Sequence, residues 1–129
     1  MSKQLASKVA IVTGASRGIG GAISIALAKE AAIVVLAARS IEKLQQTADD
    51  ITKAGGNPEI IVTKLTDEES IKNLVKTTSE KFNRLDILVN NAGVTHSAKL
   101  EHTATEDWQR CISINARAPF ILCRESLPL

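Results

Sequence analysis

The stretch Thr13-Gly14-Ala15-Ser16-Arg17-Gly18-Ile19-Gly20 decides the fold, because it joins two segments with different hydrophobic periods. Before it, residues 8–13 form a short run of mostly aliphatic residues, which predicts a buried strand. After it, apolar residues recur at helical spacing from Ile19 to Leu27, which predicts an amphipathic helix. A buried strand that enters a helix through a glycine-rich turn is the first half of a β-α-β unit, so the stretch predicts an α/β fold.

The alternation of strand and helix continues along the chain. Strands are predicted over residues 33–38, 59–65 and 85–90, each a run rich in aliphatic residues. The second helix is predicted to begin after an N-cap at Ser40, and residues 55–58 are predicted to end it as a turn. The third helix is predicted to begin after an N-cap at Thr66, with Glu69 completing a capping box. The last helix is predicted over residues 105–126.

Strands of continuous aliphatic residues separated by helices are typical of a parallel sheet that is covered on both faces. Right-handed crossovers in a doubly wound sheet place the strands in the order 3-2-1-4. We therefore predict one α/β domain over residues 1–129, with four strands and about five helices. Because such sheets usually continue past the fourth strand, we expect this chain to be the N-terminal part of the domain. Its fourth strand is then an exposed apolar edge, which predicts a homo-oligomer or pairing with a full-length relative.

The glycine-rich turn also carries the first functional signal. Glycines at positions 14, 18 and 20 allow a tight turn, close approach of the backbone to a pyrophosphate, and packing of the helix against the strand. The N-terminus of the following helix offers free N–H groups to an anion. No Gly-Lys-Ser or Gly-Lys-Thr follows, which excludes a P-loop. The turn therefore predicts dinucleotide binding rather than a merely structural role.

Two arginines indicate which dinucleotide is bound. NAD-binding folds usually place a carboxylate about 20 residues after the turn, where it binds the adenosine ribose. Here Ala38, Arg39 and Ser40 occupy the end of the second strand. Arg39, together with Arg17 in the turn, can pair with a 2′-phosphate. We therefore predict a preference for NADP(H) over NAD(H), against the alternative that either arginine is a solvated loop residue.

Two motifs resemble those of the short-chain dehydrogenase/reductase family. Thr13 to Gly20 is similar to the family's cofactor motif, and Asn90-Asn91-Ala92-Gly93 after the fourth strand is similar to its second signature. The resemblance implies a Rossmann-type fold, of which this chain covers the N-terminal half, and an NADP-dependent oxidoreductase acting on carbonyl or alcohol groups. The cofactor contacts that it implies are Gly14, Ser16, Arg17, Gly18, Ile19, Gly20, Arg39, Leu65 and Asn91. Thr95 to Thr103 would border the substrate pocket.

Two residues depart from the family pattern. Lys64 stands where the family commonly has an acid that holds the adenine amino group. Ala31 stands where a glycine commonly ends the first helix. The cost of this alanine is expected to stay below about 1 kcal/mol unless its φ is positive.

Asn115 is the candidate catalytic residue. Trp108, Cys111, Ile112 and Asn115 follow one another at helical spacing, which predicts a stripe on the core face of the last helix. A buried amide at that position would bridge polar groups of the backbone. The family resemblance implies instead that Asn115 belongs to the catalytic tetrad and holds a proton-relay water. Pro119 is expected to break a helical hydrogen bond and to kink this helix.

The chain contains no tyrosine. The family resemblance implies that a tyrosine protonates the substrate oxygen, aided by a lysine and a serine, in a segment that is absent from these residues. Two functions stay open. The first is an oxidoreductase represented by an incomplete chain that binds the cofactor and is itself inactive. The second is a non-catalytic nucleotide-binding or interaction protein that pairs with a full-length relative.

Composition narrows the remaining classes of function. The formal net charge is +2 and Lys and Arg form no dense run, so neither nucleic acid nor an anionic membrane is expected as a partner. No apolar run approaches the roughly 20 residues of a membrane span, and no signal-peptide core follows Met1, which predicts a cytoplasmic chain. The cysteines and histidines lack metal-ligand spacing, so no metal is expected. The expected partners are the dinucleotide and, for the full-length form, a small carbonyl or alcohol substrate.

Overall fold

The computed structural model describes residues 3–129, and within them four strands form one parallel sheet. The strands are β1 (Val9–Thr13), β2 (Ile33–Ala38), β3 (Asn57–Val62) and β4 (Ile87–Val89). Their order is β3-β2-β1-β4, and all neighbouring pairs run parallel. The predicted α/β class and the predicted 3-2-1-4 order are therefore confirmed.

The pair β1 and β2 forms the buried centre of the sheet. Every residue of β1 is buried, and β1 pairs with β2 along its whole length. Ile11 and Val35 contribute to the core on one face of the sheet, whereas Val12 and Leu36 contribute to the core on the other. Because both faces are covered, these strands are unbroken aliphatic runs instead of alternating ones.

Helices cover both faces of the sheet. The face that carries Val12 and Leu36 packs against α1 (Gly18–Lys29) and α2 (Ile41–Lys53). The face that carries Ile11 and Val35 packs against α3 (Glu68–Phe82) and a long C-terminal rod. The rod consists of α4 (Thr105–Ile112), a π-turn (Ser113–Arg117) and α5 (Ala118–Ser126). The single helix predicted over residues 105–126 is therefore found as two α-helices joined by the π-turn. Within residues 3–129, none of the helices is both long enough and apolar enough to cross a bilayer.

Several predicted boundaries were wrong. β3 begins at Asn57, inside the predicted turn, and ends at Val62. Pro58 is tolerated there because, among residues 3–129, β3 is an edge strand that pairs only with β2. β4 is shorter than the predicted 85–90. The N-cap of α3 is Asp67, not Thr66, because the Asp67 carboxylate accepts a hydrogen bond from the N–H of Glu69 at 3.1 Å. The predicted capping box therefore does not begin at Thr66.

The predicted core face of the rod was also wrong. Trp108 is 61% exposed, Ile112 is 43% exposed, and Asn115 is exposed as well. The buried residues of the rod are Ile114, Ala118, Ile121 and Leu122. The π-turn changes the number of residues per turn, so ordinary helical spacing does not predict one continuous face across it. This interruption ends at Arg117, two residues before Pro119, which cannot donate the hydrogen bond of a regular helix.

Candidate cofactor site

A cleft of about 850 Å³ opens at the carboxyl ends of the strands. Its walls come from the connections that follow β1, β2, β3 and β4, together with residues from α4 and the π-turn. The lining residues are Gly14, Ser16, Arg17, Gly18, Ile19, Ala38, Arg39, Ser40, Lys43, Thr63, Lys64, Leu65, Thr66, Asn91, Ala92, Gly93, Val94, Arg110 and Ile114. Ligands of open α/β sheets bind at this edge, so the cleft is the candidate functional site.

All of the predicted cofactor residues except Gly20 line this cleft. Gly20 is buried in the first turn of α1. A Cβ atom at this position would overlap the carbonyl oxygen of Gly14 and the side-chain nitrogen of Asn91. Gly20 is therefore required by the close packing of α1 on the turn, and its position does not place it on the cleft wall.

The other two glycines of the turn have left-handed backbone conformations. Gly14 has φ 62° and Gly18 has φ 58°. A Cβ at Gly14 would lie 2.9 Å from Asn91 Nδ2, whereas a Cβ at Gly18 would meet nothing within 4 Å. Position 14 thus needs glycine for both space and conformation, and position 18 needs it for conformation alone.

The N-terminus of α1 is uncapped. Its N-cap residue, Arg17, makes no side-chain capping hydrogen bond, and the first turn contains no acidic residue. The backbone N–H groups of this turn therefore have no side-chain partner, and the helix dipole adds a partial positive charge beside them. A pyrophosphate fits this arrangement, because it can accept the hydrogen bonds that no side chain takes.

The hydroxyl of Thr13 joins the two signature turns. It accepts hydrogen bonds from the N–H groups of Asn91 at 3.1 Å and Ala92 at 3.0 Å, and it donates to the carbonyl of Val89 at 3.4 Å. The side-chain amide of Asn91 donates in return to the carbonyls of Thr13 at 3.1 Å and Gly14 at 3.2 Å. The floor of the cleft is thus one hydrogen-bonded unit built from the ends of β1 and β4.

The cleft is lined by cations and by no carboxylate. Its cationic residues are Arg17, Arg39, Lys43, Lys64 and Arg110. All of them are exposed, so their charged groups can reach a ligand without a large desolvation cost. Neither Asp nor Glu occurs among the lining residues. The cleft therefore suits a ligand that carries several negative charges.

Asn115 lies beside the cleft and does not line it. Its side-chain oxygen accepts a hydrogen bond from the N–H of Val94 at 2.8 Å, and its side-chain nitrogen donates to the carbonyl of Val94 at 2.7 Å. The amide thus bridges backbone groups, as expected if Asn115 has a structural role. It does so from an exposed position instead of the buried one that was predicted. This bridge fixes the loop after β4 against the π-turn.

A carboxylate outside the cleft fixes the same π-turn to α3. Glu68 lies 2.9 Å from Arg117, 3.5 Å from Arg124 and 3.2 Å from Lys72. The hydrogen-bonded Lys72 ammonium, together with the nearby arginines, holds the pKa of the Glu68 carboxyl below its usual range. Arg117 belongs to the π-turn, so this cluster supports the segment that carries Asn115.

Two cationic residues of the cleft, Lys43 and Arg110, were not predicted as site residues from the sequence. Lys43 follows the N-cap Ser40 by three residues, and this spacing alone places it in the first turn of α2, near the carboxyl edge of the sheet. Arg110 gives no such local signal, because only the packing of the rod brings it to the cleft.

Within residues 3–129, no group of His, Cys, Asp and Glu side chains could hold a metal ion.

Comparison with known proteins agrees with this geometry. The family model described as short chain dehydrogenase matches residues 8–129. The 3-oxoacyl-(acyl-carrier-protein) reductase of Synechocystis sp. is 39% identical over 124 residues, which are 95% of this chain and 50% of that protein.

Two solved structures show the same similarity. A metagenomic short-chain oxidoreductase in complex with NADP has a TM-score of 0.94 and 39% identity, over 96% of this chain and 57% of that one. The L-sorbose reductase of Gluconobacter frateurii, complexed with NADPH and L-sorbose, has a TM-score of 0.92 and 33% identity, over 99% of this chain and 49% of that one. The chain thus spans about half the length of these relatives. With the match of the family model to nearly its whole length, the chain belongs to the short-chain dehydrogenase/reductase family.

Proposed function

We propose that this chain forms the cofactor-binding part of an NADP(H)-dependent oxidoreductase that acts on a small carbonyl or alcohol substrate. The observation that carries the proposal is the lining of the cleft, which combines five cationic residues with no carboxylate. Relatives of similar fold that were solved with NADP, or with NADPH and L-sorbose, support it. When bound, NADPH supplies the hydride for carbonyl reduction.

In this proposal the residues of the chain bind and orient the dinucleotide. The uncapped first turn of α1 binds the pyrophosphate, and Arg17 and Arg39 bind the 2′-phosphate. Ile19, which is 73% exposed at the cleft, and Leu65 offer apolar surface to the rings of the cofactor. Asn91 keeps the glycine turn in its binding conformation through the hydrogen bonds to Thr13 and Gly14.

Asn115 supports the cofactor site by holding a neighbouring loop in place. Its bridge to Val94 fixes the loop that leaves β4, next to the part of the cleft lined by Gly93 and Val94. The role implied by family resemblance, holding a water of a proton relay, stays a prediction.

The proton donor is the main difference between the two candidate functions. Carbonyl reduction needs a general acid at the substrate oxygen, and these residues include no tyrosine. An oxidoreductase would carry that acid in a further segment, whereas a non-catalytic nucleotide-binding protein would not need one. The coding sequence after the codon for Leu129 distinguishes the two, because an open continuation encoding Tyr-x-x-x-Lys favours the enzyme.

Titration of the chain with NADP and NAD tests the cofactor assignment. We expect tighter binding of NADP, since charge-assisted hydrogen bonds to the 2′-phosphate contribute roughly 1.5–3 kcal/mol when well shielded and less at exposed positions. Arg39→Ala should weaken NADP binding about tenfold and leave NAD binding nearly unchanged. Equal affinities for both dinucleotides, or unchanged NADP binding by Arg39→Ala, would contradict the assignment.

A further inference from the structure

We propose that Lys43 and Lys64 are specificity-determining residues that bind the 2′-phosphate of NADP(H) together with Arg17 and Arg39. The inference rests on the proposed function, which it deepens by assigning two further residues to phosphate recognition. Neither lysine has an ion-pair partner within residues 3–129.

Lys43 reaches the cleft from the first turn of α2. The N-cap of this helix is Ser40, whose hydroxyl accepts a hydrogen bond from the N–H of Lys43 at 3.4 Å. Ser40 and Lys43 both line the cleft, directly after Arg39. An anion bound beside Arg39 therefore lies at a helix N-terminus and within reach of the lysine in its first turn.

Lys64 reaches the same end of the cleft from the neighbouring strand. In the sheet register Ala38 pairs with Val62, and the N–H of Thr63 donates to the carbonyl of Ala38 at 2.9 Å. Two residues after Ala38 the chain reaches Ser40, and two residues after Val62 it reaches Lys64, so both follow neighbouring strands at the same edge of the sheet. The backbone of Lys64 is held by a hydrogen bond from its N–H to the hydroxyl of Ser70 at 2.8 Å, whereas its side chain is exposed.

The number of cations exceeds what a dinucleotide without a 2′-phosphate can neutralise. A phosphate monoester carries about two negative charges near neutral pH. The pyrophosphate is already served by the N–H groups of α1. The two lysines beyond Arg17 and Arg39 therefore face a dianion when NADP is bound and face only each other and the arginines when NAD is bound. Like charges that line one cleft repel each other, so the lysines favour NADP.

Binding measurements on lysine variants test the inference. Lys43→Met and Lys64→Met are compared with Lys53→Met, a matched control at the far end of α2 that is exposed and outside the cleft. Calorimetry with NADP, NAD and adenosine 2′,5′-bisphosphate gives each affinity at low and high salt. We expect each cleft variant to bind NADP and the bisphosphate about three- to tenfold more weakly and NAD within about twofold of the unchanged chain.

Two further readouts sharpen the test. Lys43→Arg and Lys64→Arg keep the charge and should restore NADP binding. The gap between the cleft variants and the control should shrink at high salt, because salt screens exposed charges. Thermal unfolding of each variant confirms that the exposed substitutions leave the fold intact.

The outcomes separate this inference from the proposed function. If the unchanged chain prefers NADP but the cleft variants behave as Lys53→Met does, the assignment of the lysines is wrong and the proposed function stands. Equal losses of NADP and NAD affinity would also overturn the assignment, because the lysines would then act on a part shared by both. If the unchanged chain binds neither dinucleotide, both proposals fail.

Discussion

The residue at the end of α1 has a backbone conformation that suits glycine better than alanine. Ala31 has φ 71°, in the left-handed region. Its N–H donates to the carbonyl of Ala28 at 2.9 Å, and the N–H of Ala32 donates to that of Leu27 at 3.2 Å, which are the hydrogen bonds of a Schellman motif. In the equivalent position at the end of α2, Gly55 has φ 83°. The condition for a larger cost at Ala31, a positive φ, is therefore met.

Ala31→Gly should stabilise the fold. Relief of the left-handed strain, less the added flexibility of glycine in the unfolded chain, predicts an increase of about 0.5–1 kcal/mol in the free energy of unfolding. Gly55→Ala is the mirror control, since a Cβ there meets nothing within 4 Å and only its φ is unfavourable. Urea unfolding should show this second variant to be less stable by about 1 kcal/mol. A loss of stability in Ala31→Gly would contradict the explanation.

Among the elements, β1 and β4 are joined at their amino ends by Asp86. Its carboxylate accepts a hydrogen bond from the N–H of Val9 at 2.9 Å, and its own N–H donates to the carbonyl of Val9 at 2.9 Å. Arg84 donates two further hydrogen bonds to the carboxylate, both of 2.8 Å. The Arg84 guanidinium, followed by the Val9 N–H, lowers the pKa of Asp86 to about 2.

Asp86→Asn should change how stability depends on pH. The unfolded pKa of an aspartate is about 3.9, so a lowered folded pKa stabilises the protein above that value. This contribution is lost as the pH falls through about 2, where the folded carboxyl takes up its proton. We expect Asp86→Asn to lower Tm near neutral pH and to flatten its decline in acid. Asp50→Asn, an exposed control in α2, should leave the pH profile unchanged.

The elements differ in how well the sequence predicts them. The strands and the turn between β1 and α1 follow from local signals, namely aliphatic runs, helical spacing and glycine, and the strand order then follows from the topology of doubly wound sheets. The packed face of the rod does not, because a π-turn that depends on tertiary contacts shifts the helical spacing between Ile112 and Ala118. At the cleft, residues directly after a strand could be predicted, whereas Arg110 is brought there only by the packing of the rod.

For the whole molecule, the structure describes an exposed surface as well as a cleft. Trp108 is 61% exposed and Phe120 is 60% exposed, so the rod presents large apolar side chains to solvent. β4 has only β1 as a neighbour among the described strands. These surfaces favour association, and the oligomeric state stays a prediction.

The chain of 129 residues should not catalyse hydride transfer by itself, even with NADPH bound. Loss of a positioned general acid alone lowers a rate about 10²–10⁴-fold. Incubation with NADPH and a panel of ketones, aldehydes and ketoacyl thioesters, followed by the absorbance of the reduced nicotinamide, should give the rate of the protein-free blank. Turnover above the blank that disappears in Gly14→Asp, whose side chain would meet Asn91, would show that these residues suffice for catalysis.

The link through Thr13 has a consequence for the thermodynamics of binding. The Thr13 hydroxyl accepts hydrogen bonds from the turn after β4, and the Asn91 amide donates hydrogen bonds to the turn after β1. The floor of the cleft is therefore ordered before any ligand binds. The charged side chains around the rim are exposed and have still to be ordered. Most of the conformational entropy that is lost on binding is therefore lost by the arginine and lysine side chains of the rim, which have many rotamers. The floor binds the ligand without a comparable loss of entropy.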